Sequence, residues 1–300
     1  MNTNIYNRID ENKRETVYII LAFTAVISAV GYFAGQYFAD GSGVSFLGFA
    51  LIFSGISGFI SYYGSDRIVL AISGAKEVKE TDNPYIHKLV ENLCIGSGLP
   101  KPKIYVIDDT AMNAFATGRD PQHAVICFTT GIIDRLNKLE LEGVTAHELS
   151  HIGNYDIRLM SIISVLVGTI VLLSDWFTRG MFYGGGRKRD RGEASGILMI
   201  VGLVLLLLSP IIASLIKLAL SRQREFLADS SAALLTRYPK GLADALRKIS
   251  GDKEVLEAAN GATAHLYITN PLKGGQGGFM ANLFSTHPPV EERIKRLEEM

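Results

Sequence analysis

Residues 147–151 read HELSH. On a helix, positions i and i+4 stand one above the other on the same face. His147 and His151 can therefore offer ring nitrogens to a single ion. Glu148, one position round, is placed to reach a water on that ion rather than to bind it. Zinc lowers the pKa of such a water to about 7 and polarises a carbonyl. A neighbouring carboxylate takes the proton and passes it to a leaving amine. The chemistry this spacing would perform is hydrolysis of a peptide bond. A second reading, two histidines packed on an ordinary helix, is left open by the five letters alone. Val144, Ala146, Leu149 and Ile152 make the helix one that packs, and Gly143 and Gly153 permit close approach of other chain.

A hydrolytic zinc needs a third protein ligand and an open fourth position. Residues 152–157 are IGNYDI, so the extended motif with a third histidine close by is absent. The best candidate is Glu225 in REFLAD, with Asp229 at i+4 on the same helical face. Glu225 would bind the ion, and Asp229 would accept the second N–H of a ligand histidine. Arg222 and Arg224 alongside also fit a charged surface patch, and spacing does not decide between the two.

These residues must be positioned by an unusual chain. Among 300 residues with zero net charge, apolar residues cluster into long runs. No charge occurs from Thr16 to Ala39 or from Gly41 to Ser65; Leu159 to Thr178 carries only Asp175, and Ala194 to Ile216 carries none. Each run is long enough to cross the roughly 30 Å hydrocarbon layer as a helix of about 20 residues. The runs divide the chain into a polar tail (1–15), a hairpin of two spans (16–64), a polar segment (66–158), a second hydrophobic pair (159–220) and a polar segment (221–300). The first run reads as a retained anchor, being longer than the apolar part of a cleaved signal. Zero net charge gives no sign of a nucleic-acid partner. Cys94 and Cys127 form neither a disulfide framework nor a CxxC site.

In the first polar segment, Asp82-Asn83-Pro84 starts a helix that continues through Ile86, Leu89, Val90, Leu93 and Cys94. Residues 103–107 (KIYVI) and 123–128 (HAVICF) read as strands, with MNAFATG (112–118) between them. A helix from about Asn137 to Tyr155 carries HELSH, and further helices cover SRQREFLADSSAALL and Val290 to Met300. Gly184–Gly186 and GGQGG (274–278) lack the lysine and the setting of a phosphate loop and read as loops. Arg8, Lys13 and Arg14 precede the first span, whereas the link to the second has no Lys or Arg, which puts the tail and residues 66–158 in the cytoplasm. The basic residues of 187–191 then fall on the wrong side. Either the second pair is a shallow hairpin or its orientation is enforced by the folded domain.

TAHELSH, two hydrophobic runs, SRQREFLAD and STHPPVEERI follow one another in an order that resembles the M48 family of membrane zinc metalloproteases. GLPKPKIYVIDD and NAFATG add to the resemblance, which covers nearly the whole chain. It implies an α+β, zincin-like (gluzincin) domain, mostly helical, with four membrane helices and one zinc ion per chain. His147 and His151 match the zinc histidines, Glu148 the catalytic base, Glu225 the third ligand and Asp229 the acid behind it. His287 matches the histidine that supports the tetrahedral oxyanion. Asn113, with Ala114 and Phe115, matches the substrate cleft, and His123 to Phe128, with Val125 and Ile126, is similar to the edge strand that holds substrate as an added strand. The implied setting is the bacterial inner membrane, with a cytoplasmic active site and misfolded or unfolded proteins, including loops of membrane proteins, as substrates. His87, His123 and His265 match no family site.

Two rivals are an intramembrane-cleaving enzyme and a scaffold that keeps zinc for stability. Lys138, Glu140, Glu142, Asn154, Asp156 and Arg158 flank the motif too densely for the bilayer core. The presence of both Glu148 and His287 argues against the scaffold.

Overall fold

The computed structural model describes residues 5–38, 41–183, 222–260, 262–271 and 288–300. His287, the basic residues of 187–191, the fourth apolar run and both Gly-rich stretches lie outside the described residues.

Two long helices open the chain: α1 (Ile5–Phe38) and α2 (Gly43–Ile72). α1 starts well before the apolar run, so residues 5–15 are not a separate tail but the first turns of the same helix. Their outer faces carry Leu21, Phe33, Phe49, Ile52 and Phe59, all exposed, an apolar surface far larger than a soluble monomer shows. Among the described residues, Ile9–Phe33 and Gly43–Ile72 are long and apolar enough to cross a bilayer. The helix of the third apolar run packs its first turns against the rest of the protein, where Leu159, Ile163 and Leu166 are buried, while Val171 and Leu172 further on are exposed.

After α2 the chain builds a small sheet: β1 (Lys76–Glu77), β2 (Lys103–Ile107), β3 (Ala114–Gly118) and β4 (Ala124–Thr129), in the order β1-β2-β4-β3. β4 runs parallel to β2 and antiparallel to β3. Strand side chains alternate between faces, and here both faces are covered. Ile104, Ala114, Ala116, Ile126 and Phe128 join the core of the polar segments, whereas Ile107, Phe115, Val125 and Cys127 pack toward α1 and α2. The expectation that 123–128 supplies the edge strand is not met. β4 is paired on both flanks, and the edge is β3, formed by NAFATG.

α3 (Pro84–Ser97) starts as the sequence dictates: the Asn83 side chain accepts from the Ile86 N–H, with Pro84 in the first turn, and Gly98 closes it in the left-handed region. After α4 (Thr130–Arg135), α5 (Lys138–Gly153) carries HELSH and opens with a capping box between Asn137 and Glu140. α6 (Asp156–Tyr183), α7 (Arg222–Thr236), α8 (Pro239–Gly251) and α9 (Val290–Glu298) complete the α-helices among the described residues.

Gly143 brings α5 against the backbone of α8. A Cβ there would stand 2.7 Å from the Leu242 nitrogen and 2.9 Å from its Cα. Gly153 meets only the Leu99 side chain, at ordinary contact distance. Gly143→Ala is therefore expected to force the two helices apart and to lower stability by about 1–3 kcal/mol. The thermal midpoint, compared with that of Gly48→Ala, where nothing lies within 4 Å, checks this.

Candidate metal centre

His147, His151 and Glu225 converge. Their ligand atoms all lie within 4.8 Å of one another, and all three residues are buried. The two histidine Nε2 atoms are 3.2 Å apart, and the Glu225 carboxylate oxygens lie 3.8 Å and 3.5 Å from them. Two imidazole nitrogens and a carboxylate oxygen make a donor set suited to hydrolytic zinc. With Zn–N distances of about 2.0–2.1 Å, a tetrahedral edge is roughly 3.3 Å, close to the observed nitrogen separation.

Each ring is held from behind. His147 Nδ1 lies 2.9 Å from Asp229 Oδ1, and His151 Nδ1 lies 2.9 Å from Asp156 Oδ2. Each carboxylate accepts the Nδ1 proton and turns Nε2 toward the shared point. Asp229 comes from α7, one turn beyond Glu225, as the spacing in REFLAD predicts. Asp156 was not legible as a partner, because i+5 is not a helical face. It arrives because α5 ends at Gly153 and Tyr155 takes a left-handed φ of 63°. α6 then leaves at 83° to α5, which folds Asp156 back onto His151.

The second unforeseen residue is Arg293. Its side chain is fully buried. It forks onto Asp229 at 2.8 and 2.7 Å, donates to the Ile268 carbonyl at 3.1 Å and stands 3.2 Å from Glu225. Its position carried a signal. Val290, Arg293, Ile294 and Leu297 share one face of α9, so the arginine sits on the apolar stripe.

Burial pushes the Glu148 carboxyl up to about 7; Glu225 adds to the rise, while the His151 ring, Arg293 and a hydrogen bond from the Ala116 N–H oppose it. Burial disfavours charge on His151 too, yet the Asp156 hydrogen bond and the nearby carboxylates raise it to about 9. His147 is lowered, chiefly by burial. Burial pushes the Asp229 carboxyl up, but the Arg293 guanidinium and the His147 ring together hold it below the usual carboxylate range.

The outer edge of β3 faces this centre. Ala116 N–H meets Glu148, Ala114 C=O accepts from the Ile268 N–H at 3.0 Å and Gly118 N–H reaches Ser161. Asn113 is buried, and its amide donates to the Thr269 carbonyl at 3.1 Å. Ala114 shares the protease-side face with Ile126; Phe115 and Val125 face the membrane helices. His87, His123 and His265 stand apart from the centre, bonded to Val78, Asp120 and Met160.

An HExxH helix, a carboxylate from a later helix and an edge strand alongside are the make-up of a metallopeptidase. The model of peptidase family M48 matches residues 80–300, and the chain belongs to that family. It is 49% identical over 298 residues to a protein named Protease HtpX homolog from Dictyoglomus thermophilum, covering 98% of this chain and 94% of that one. To the protein of the same name from Caldanaerobacter subterraneus it is 44% identical over 300 residues, covering 99% and 98%. A crystal structure of S. mikatae Ste24p shares the fold, with a TM-score of 0.52 at 20% identity; the match spans 93% of this chain and 62% of that one. Family membership makes the chain a metalloprotease, and α1 and α2 make it a membrane protein.

Proposed function

We propose that the chain is a multi-pass zinc endopeptidase of the gluzincin type in the bacterial inner membrane, its active site at the cytoplasmic face. The observation that carries this is the convergence of His147, His151 and Glu225 with Glu148 beside them. Zinc held by these three residues would supply the Lewis acid and acidify a water. Glu148 takes the proton of the attacking water and passes it to the leaving amine. Asp229 and Asp156 keep the two rings aimed. His287 supports the oxyanion by donating to the charge as it develops. Residues 66–158 and 221–300 form one protease domain, interrupted in sequence by the second hydrophobic pair (159–220).

The substrate lies as an extended strand on the outer edge of β3, the flank away from β4, where it takes the place of the Ile268 N–H on the Ala114 carbonyl. Asn113, Ala114 and Phe115 belong to that strand or its start; Val125 and Ile126 back it from β4. Such an edge reads backbone rather than side chains, which suits unfolded and misfolded proteins, including cytoplasmic segments of membrane proteins, and a role in their quality control. The basic residues before the first uncharged run, Arg8, Lys13 and Arg14, support the cytoplasmic orientation.

The test is digestion of casein by the detergent-purified chain. Cleavage is expected to stop when a chelator strips the metal and to return with one equivalent of zinc. Cleavage that survives complete metal removal would overturn the zinc reading.

A further inference from the structure

We propose that the protease-side turns of α1, the first membrane helix, are a working part of the metal centre, with Asn12 and Glu15 positioning His151 through Asp156 and Arg224. This rests on the zinc reading above. Asn12 donates from one amide nitrogen to Asp156 Oδ1 at 2.7 Å and to the Asn154 carbonyl at 2.8 Å. Its oxygen accepts from Arg224 Nε at 3.1 Å. Arg224 also lies 3.3 Å from Asp156 and pairs with Glu15. The other oxygen of Asp156 holds His151.

Asn12, Asp156 and Arg224 are all buried, so each hydrogen bond among them acts in a low dielectric and a lost one is not replaced by water. The geometry clamps two ligand-bearing elements at once. Asp156 follows the turn that ends the HELSH helix, and Arg224 directly precedes Glu225. One asparagine therefore ties both to a helix whose next turns are Thr16, Ile19 and Phe23, packed into the membrane-side core. A carboxylate behind a ligand histidine sets ring orientation and basicity, and disturbing it weakens metal binding by about 10–100-fold. Asn12 and Glu15 set that carboxylate in turn. They are positioning residues, since neither touches the ion or the peptide. The consequence is that the metal site is complete only when α1 is docked.

The test uses the full detergent-purified chain and reads zinc affinity by competition with a chelating dye, the visible spectrum of the cobalt form, and kcat and KM on a quenched peptide. Asn12→Ala and Asp156→Asn are expected to weaken zinc by about tenfold or more, to alter the cobalt bands and to lower kcat with little change in KM. Phe23→Ala, on the same helix but outside the network, is expected to lower the thermal midpoint while keeping the parent's zinc affinity. Glu15→Gln keeps the shape of the side chain and is expected to weaken zinc in the same direction by about threefold, less than the roughly 10–100-fold of a partner directly behind a ligand, because Glu15 acts only through Arg224. An unchanged zinc affinity and cobalt spectrum in Asn12→Ala and Glu15→Gln would overturn the proposal, as would an equal loss in Phe23→Ala. A parent chain that binds no zinc at all would instead overturn the reading on which it rests.

Discussion

Glu148→Gln is expected to leave the zinc content unchanged and to lower peptide cleavage by about 10²–10⁴-fold, the usual contribution of a positioned general base. The substitution is nearly isosteric, so it keeps the packing of a side chain that is only 2% exposed. It also keeps an oxygen to accept the Ala116 N–H. What it removes is the ability to take a proton. Glu148 is placed for that task, buried directly after the ligand His147 on the same helix, where burial raises its carboxyl above the usual range. The ligands His147, His151 and Glu225 are untouched, so metal analysis of the variant separates loss of chemistry from loss of the site. Casein digestion beside the parent, with metal content measured on the same samples, reads both. A variant that cuts as fast as the parent removes Glu148 from the mechanism; a variant that loses zinc shows that the residue supports the site rather than the reaction.

Much of this centre was legible in the sequence because its spacing is local. His147 and His151, and again Glu225 and Asp229, are one turn apart, so helical periodicity alone places each pair on one face. The caps at Asn83 and Asn137 are local too, and both helices begin where those residues sit. What sequence could not supply are relations set by tertiary turns. Asp156 reaches His151 only through the left-handed Tyr155 and the sharp bend after α5, and Asn12 meets Asp156 across 144 positions. Strand order failed for the same reason. HAVICF is the more strand-like segment by composition, and that is why it is buried between two neighbours, while the small residues of NAFATG form the edge. The third apolar run shows what hydropathy leaves open, since the first half of α6 is buried against other helices while Val171 and Leu172 are exposed.

Arg293→Met is expected to be the most destabilising single change in the site, and more so without metal than with it. Arg293 is buried beside two carboxylates, Asp229 and Glu225, and burial opposes its charge while those acids hold it protonated. Methionine fills much of the volume but takes the guanidinium away from both acids in a low-dielectric interior. Removing one partner of a buried ion pair costs about 3–5 kcal/mol. Zinc brings its own positive charge to Glu225, so the loaded protein offsets part of the loss. The thermal midpoint of Arg293→Met is therefore expected to fall furthest in chelator and to recover in part with zinc, by a larger increment than zinc gives the parent. Arg293→Lys is expected to fall between them. An ammonium is a point charge and cannot fork onto both Asp229 oxygens while also reaching the Ile268 carbonyl and Glu225. Freed from its clamp, Asp229 also orients His147 less firmly, so zinc affinity is expected to drop in both variants, more in the methionine one. Equal midpoints for parent and Arg293→Met in chelator would show that the acids are neutralised by protonation instead. The buried arginine would then be dispensable to the metal-free fold.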